Sequence, residues 1–312
     1  METKPKDYSP RFGIGEWFGW NLAELTVEER RSFAQDVLKS KIHRNLHPCP
    51  FQIKTKDAAC TKEGGVCSLR LYTYNRINQQ SLPIQGKQGD LRITCPYRFH
   101  ENSEIFKWVG ETILGDSDPL LIGEIGFLES NNTSESQADD VGRIDMVIVS
   151  QKNSAAGSLA WAAVEIQAVY FSGSAMKVEF ESYKDSNESN VLFPIGRRRP
   201  DYRSSGPKRL MPQLQIKVPT LRRWAKKMAV VVDRAFFDSI GEMDHVADIS
   251  NADIAWFIVN FEELIGKKRF RLVPDEVRFT TLERSVEGLT GGHPVALPVF
   301  EKRIKAKLAS KL

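Results

Sequence analysis

Two carboxylates stand inside the most apolar stretch of the chain, between Gly142 and Gly173. The stretch reads GRIDMVIV, a polar insert, then LAWAAVEIQAVYFSG. Asp145 interrupts the first run; Glu165 and Gln167 interrupt the second. Runs this rich in β-branched and aromatic residues predict strands. Positions two apart share a face of a strand, so Glu165 and Gln167 point the same way. A buried carboxylate is costly unless something compensates it. On adjacent strands, Asp145 and Glu165 compensate each other through a shared divalent cation, and oxygen-only ligands suit Mg²⁺, which takes one or two carboxylates plus a phosphate. The competing reading is an ion pair, for which Arg143 on the face of Asp145 is a candidate. Spacing alone leaves both open.

The surrounding pattern gives these strands a context. Thr26 and Glu29 form a capping box ahead of a helix whose apolar face is Phe33, Ala34, Val37 and Leu38. A second helix is predicted from about Glu101 to Leu114, with Ile105, Trp108, Val109 and Ile113 inward. Three apolar runs follow, Leu120–Phe127, Arg143–Val149 and Leu159–Phe171, separated by polar loops, and they read as a three-strand meander. A symmetric first loop sets Glu124 opposite Asp145 as a third carboxylate; Glu129 at the strand end competes for that role. A further helix is expected near Pro219–Met228, with proline in its first turn, then strands at Ala229–Val232 and Asp253–Phe261. The Lys- and Arg-rich C-terminus reads as a surface helix.

Net charge is only +4, but it is unevenly spread. Between Gly196 and Lys227 stand eleven Lys and Arg against one acid, Asp201, which leaves the remainder net acidic. Such a concentration is the footprint of a polyanion-binding surface; a solvated basic face is the bland alternative. Interleaved Pro200, Tyr202, Pro207 and Trp224 argue for a shaped surface. No apolar run is long enough to span a membrane and no apolar leader is visible, so a cytoplasmic protein is expected.

All four cysteines, Cys49, Cys60, Cys67 and Cys95, lie in the first third of the chain. In a reducing compartment they predict a structural tetrahedral Cys₄ metal site rather than disulfides. Ten, six and twenty-seven residues intervene, so there is no CxxC pair. Zinc is the default occupant and iron suits a sulfur-only site. The alternative is four unrelated buried thiols. His43, His47 and His100 are possible substitutes as ligands, more naturally surface or supporting groups.

Helix, three strands, helix, strand, with Asp and then Glu-x-Lys on strands two and three, is the pattern of the PD-(D/E)xK nucleases. Here Ile144 replaces the proline and Gln167 the lysine. With those departures, VEIQAVYFSG at 164–173 and MPQLQIKVPTLRRWAKK at 211–227 resemble the NotI-type restriction endonucleases, as does the placement of four cysteines before the core. The likeness covers roughly residues 20–265. It implies an α/β PD-(D/E)xK core with an N-terminal Cys₄ subdomain, with Asp145, Glu165 and Gln167 as catalytic residues and Glu124 beside them. It further implies an iron-holding Cys₄ site and a homodimer that cuts both strands of a GC-rich palindrome in double-stranded DNA.

The expected organisation is an N-terminal helical and Cys₄ region at 1–100, a catalytic core at 101–265 containing the basic segment 196–227, and a C-terminal extension at 266–312. Asp145 and Glu165 are expected to hold Mg²⁺ at the scissile phosphate. Gln167 brings no charge, but its carbonyl accepts from water and its NH₂ donates to a phosphate oxygen. Arg and Lys pair with guanine O6 and N7. Arg197, Arg198, Arg199, Arg203, Lys208, Arg209, Arg222 and Arg223 are the pool of DNA-contacting residues. The rival readings are a repair or recombination nuclease of low specificity and a non-catalytic Cys₄ DNA-binding protein, which leaves the acidic pair without a purpose.

Overall fold

The computed structural model describes residues 8–39, 47–52, 58–129, 140–152, 159–291 and 295–309. In chain order the elements are β1 (Arg11–Trp17), β2 (Trp20–Asn21), α1 (Val27–Lys39), β3 (Val66–Asn75), β4 (Gln80–Pro83), β5 (Arg92–Ile93), α2 (Glu104–Leu114), β6 (Leu120–Glu129), β7 (Asp140–Val149) and β8 (Trp161–Gln167). There follow β9 (Phe171–Gly173), α3 (Lys177–Lys184), β10 (Arg198–Pro200), α4 (Tyr202–Ser205), α5 (Met211–Arg223), β11 (Met228–Asp233), α6 (Arg234–Phe237), β12 (Ile254–Leu264), β13 (Arg269–Thr280), α7 (Leu282–Thr290) and α8 (Leu297–Ala309).

A mixed six-stranded sheet of order β13-β12-β11-β8-β7-β6 forms the centre. β6, β7 and β8 are the expected antiparallel meander. β11 runs parallel to both β8 and β12, and β13 closes the edge antiparallel to β12. β11, MAVVVD, is buried at every position, as a strand parallel to both neighbours and covered on both faces must be. On one face Leu214, Val218 and Leu221 of α5 pack against Val147, Ala163, Val230 and Trp256. On the other, Ile105, Phe106 and Val109 of α2 meet Ile148, Val164, Val231 and Phe257. α1 has its capping box: Glu29 N–H donates to Thr26 Oγ1 at 3.2 Å, and Thr26 N–H donates to Glu29 Oε2 at 2.7 Å.

The N-terminal region, expected to be helical with a Cys₄ site, instead carries a sheet of its own. β1 to β5 form a second sheet, with β3 between β1 and β4. Its core of Trp17, Phe18, Leu69 and Tyr72 includes Phe180 and Tyr183 of α3 and Val191 and Phe193 beyond it, and Trp17 stacks on Phe180 with ring centroids 5.4 Å apart. Residues 180–193 therefore complete a core begun near residue 14, across the boundary expected at 100. Buried Arg98 ties the two sheets together. Its Nε reaches both oxygens of Glu16 at 3.0 Å, Nη1 reaches Glu101 at 2.8 Å, and Nη2 donates to the Phe270 carbonyl at 3.1 Å.

Two further differences follow from backbone chemistry. The boundary at 265/266 falls in the turn between β12 and β13, so residues 269–280 belong to the central sheet. The basic segment's helix starts at Met211 and ends at Arg223. Pro212 occupies its first turn, where no intrahelical N–H is needed, and Pro219 lies inside it, held there by the packing of Leu214, Val218 and Leu221. A widened π turn over Gly206–Leu210 joins α4 to α5. α8 is exposed along its length, as expected of a surface helix. Among the described residues no helix is long and apolar enough to cross a membrane.

Candidate active site

The β7–β8 ladder runs from Val149 opposite Trp161 to Met146 opposite Val164, and there it ends. Asp145 and Glu165 are the next facing positions. They lie on the sheet face covered by α5, where the two strands no longer hydrogen-bond and a cleft of about 790 Å³ opens. Asp145, Glu165 and Gln167 all line it. The Asp145 side chain is 57 % exposed and that of Glu165 only 8 %. Burial, reinforced by the Asp145 charge and opposed by Lys217, pushes the Glu165 carboxyl up to about 7.

A residue absent from the sequence reading stands between the two acids. Lys217 of α5, 2 % exposed, sets its Nζ 2.7 Å from Glu165 Oε2 and 3.5 Å from Asp145 Oδ2. Arg143, the partner proposed for Asp145 from sequence, instead reaches Glu124 at 3.2 Å. The register places Glu124 opposite Asp145, since Gly123 faces Met146 and Ile125 faces Ile144. Its carboxylate is nevertheless 70 % exposed and engaged with Arg143. The Glu129 side chain lies outside the described residues. Gln167 is buried, and its Nε2 donates to the Ala168 carbonyl.

The basic segment divides sharply. Lys208 and Arg209, in the π turn, are exposed and line the same cleft as the acids. The Arg209 guanidinium lies over the Tyr170 ring at 3.6 Å and bonds its hydroxyl. Arg197, Arg199, Arg203 and Arg223 are exposed. Arg199 bonds Ser172 Oγ at 3.3 Å, and Arg223 donates to the Pro219 carbonyl at 3.4 Å. Arg198 does not belong with them. It is buried, with Nη1 2.7 Å from Glu179 and Nη2 2.7 Å from the Ala175 carbonyl, so it ties β10 to α3. Arg222 is engaged with Asp253 at 2.5 Å and Glu283 at 3.1 Å, which raise its pKa further.

The cysteines come together in two pairs. Cys49 N–H donates to Ala58 O at 2.8 Å and Cys60 N–H to His47 O at 2.9 Å, across the bridge between Pro48 and Ala59. Cys95 N–H donates to Cys67 O at 3.3 Å. Gly64 and Gly65 both adopt φ of +68°, the tight turn ahead of Cys67. All four cysteines are buried, and none forms a disulfide. Cys60 hydrogen-bonds the Cys49 sulfur and lowers its pKa to about 6, whereas burial raises Cys67 and Cys95. Four sulfur donors suit a soft tetrahedral metal. As the side chains stand, however, no group of three or more His, Cys, Asp or Glu among the described residues is arranged to hold a metal ion. His47 Nε2 is 3.0 Å from Asp36, and the His100 ring packs on Phe106. His43 lies outside the described residues. Lys62 and Thr94, next to this region, also line the acidic cleft.

A mixed sheet between helices, with two opposed carboxylates at a ladder end in a cleft also lined by Lys208 and Arg209, defines a mixed α/β protein with an acidic cleft. The family model for restriction endonuclease NotI matches residues 35–272, and the chain belongs to that family. Membership makes it a restriction endonuclease, a site-specific deoxyribonuclease acting on double-stranded DNA, and implies both a restriction-endonuclease-like fold and a divalent metal. Comparison with curated proteins finds no match.

Proposed function

We propose that this restriction endonuclease hydrolyses the DNA backbone at Asp145 and Glu165, that these carboxylates hold Mg²⁺, and that the protein acts as a homodimer on a GC-rich palindrome. The carrying observation is the facing pair in the cleft where the β7–β8 ladder ends. The donor set fits: two carboxylates and no nitrogen or sulfur ligand suit Mg²⁺, whose remaining positions go to water and phosphate. When bound, the metal supplies a water of lowered pKa and positive charge against the phosphate. Asp145, half-exposed, meets the substrate side, while Glu165 anchors the inner side. Gln167 presents a neutral acceptor to the attacking water. Glu124 is the candidate third carboxylate once released from Arg143.

Lys208 and Arg209 extend from the cleft as contacts for phosphate or for guanine edges, with Arg197, Arg199, Arg203 and Arg223 on the exposed surface of the same segment. The four cysteines would hold iron or zinc once their side chains close on one point. Their place beside Lys62 and Thr94 gives that centre the task of fixing one cleft wall.

Asp145→Asn and Glu165→Gln test the reading. Each should slow cleavage on the order of a hundred- to a thousand-fold while DNA binding in Ca²⁺ persists. Cutting at the parent rate by both variants would remove the pair from the mechanism.

A further inference from the structure

Gln167 stands two positions after Glu165 and carries no charge. A cation nevertheless reaches both carboxylates, from a different element. Lys217 Nζ is 2.7 Å from Glu165 and 3.5 Å from Asp145. Its neighbours Leu214, Val218 and Leu221 are buried in the core, so the stem that carries the ammonium is fixed against the sheet. Gln213, one helical turn earlier, lines the same cleft, and positions four apart share a helix face. α5 therefore presents a Gln213–Lys217 stripe to the acidic pair. A lysine buried to this extent needs a charged partner, and here its partners are the two acids that face the substrate.

Resting on the proposed site, we infer that Lys217 is the active-site lysine of this enzyme, a positioning residue that gathers the Asp145 and Glu165 oxygens and supplies from α5 the positive charge that Gln167 does not. A purely structural counter-ion would matter for folding alone. A positioning lysine matters for turnover, and its loss is relieved by a lysine entering the cleft from the strand.

The test uses the full chain and a GC-rich plasmid cut by the parent protein. Lys217→Met should lower kcat roughly a hundredfold while the dissociation constant for plasmid DNA in Ca²⁺ stays within about threefold of the parent. Adding Gln167→Lys to Lys217→Met should restore cutting by about tenfold or more. Cutting by Lys217→Met within about threefold of the parent overturns the inference, as does a slow variant that the second lysine fails to rescue. If Lys217→Met does not fold, Lys217→Arg keeps the charge but displaces it; kcat should then fall about tenfold with DNA affinity unchanged, and parent-like cutting overturns the proposal. Glu165→Gln serves as the control. If it is inactive while Lys217→Met is active, only the lysine assignment fails; if both are active, the site itself is wrong.

Discussion

Arg198 and Lys208 belong to one basic run, yet their surroundings give them different tasks. Arg198 is buried against Glu179, whose carboxylate also accepts from the backbone N–H of Gly196 at 2.9 Å. Lys208 is exposed at the cleft. Arg198→Ala leaves a buried carboxylate without its cation and should cost about 3–5 kcal/mol of stability, read as a lower unfolding midpoint, with DNA affinity of the folded fraction unchanged. Lys208→Ala should leave the midpoint in place, weaken binding to all sequences alike and reduce the slope of log K against log salt by about 0.9. The opposite pattern would mean that the two roles are exchanged. Sequence counts these residues as equals because charge is legible one residue at a time, whereas burial depends on which other element arrives. Glu179, nineteen positions away, is what removes Arg198 from the surface.

At the level of elements, the meander was legible because its strands announce themselves as apolar runs, and the Glu124–Asp145 register followed from a symmetric loop. Glu165 was legible too, since a carboxylate in such a run is anomalous wherever it occurs. The start of α5 is not legible, because Pro219 carries the signal of a helix's first turn although it lies inside the helix, and a helix beginning there leaves Lys217 no face to share with the acids. The N-terminal sheet was hidden among glycines and prolines, its core completed by aromatics about a hundred residues downstream. Asp233, at the end of β11, links the sheets by accepting from Ile93 N–H at 2.8 Å and Phe236 N–H at 2.7 Å. Burial raises its pKa from 3.8 to about 6, against the opposing pull of those two bonds. A carboxyl raised in the folded state favours folding below its unfolded pKa and loses that contribution as pH rises through the folded value. The parent should therefore lose stability relative to Asp233→Asn by on the order of 3 kcal/mol between about pH 4 and about pH 7. Urea midpoints at the two ends of that window measure it, and parallel pH profiles would contradict the assignment.

For the whole molecule, the two sheets meet along the acidic cleft. The central sheet brings Asp145 and Glu165, α5 brings Lys217, the π turn brings Lys208 and Arg209, and the cysteine-bearing region brings Lys62 and Thr94. Segment 196–227 is strongly positive against an acidic remainder, and its exposed Lys208 and Arg209 line this cleft. The most direct test of the account is digestion of GC-rich genomic DNA by the purified protein, in Mg²⁺ and in EDTA, with the fragment ends sequenced. Discrete Mg²⁺-dependent fragments whose ends share one GC-rich palindrome are the expected result. A smear without common ends, or binding without cutting on unmethylated DNA, would contradict it.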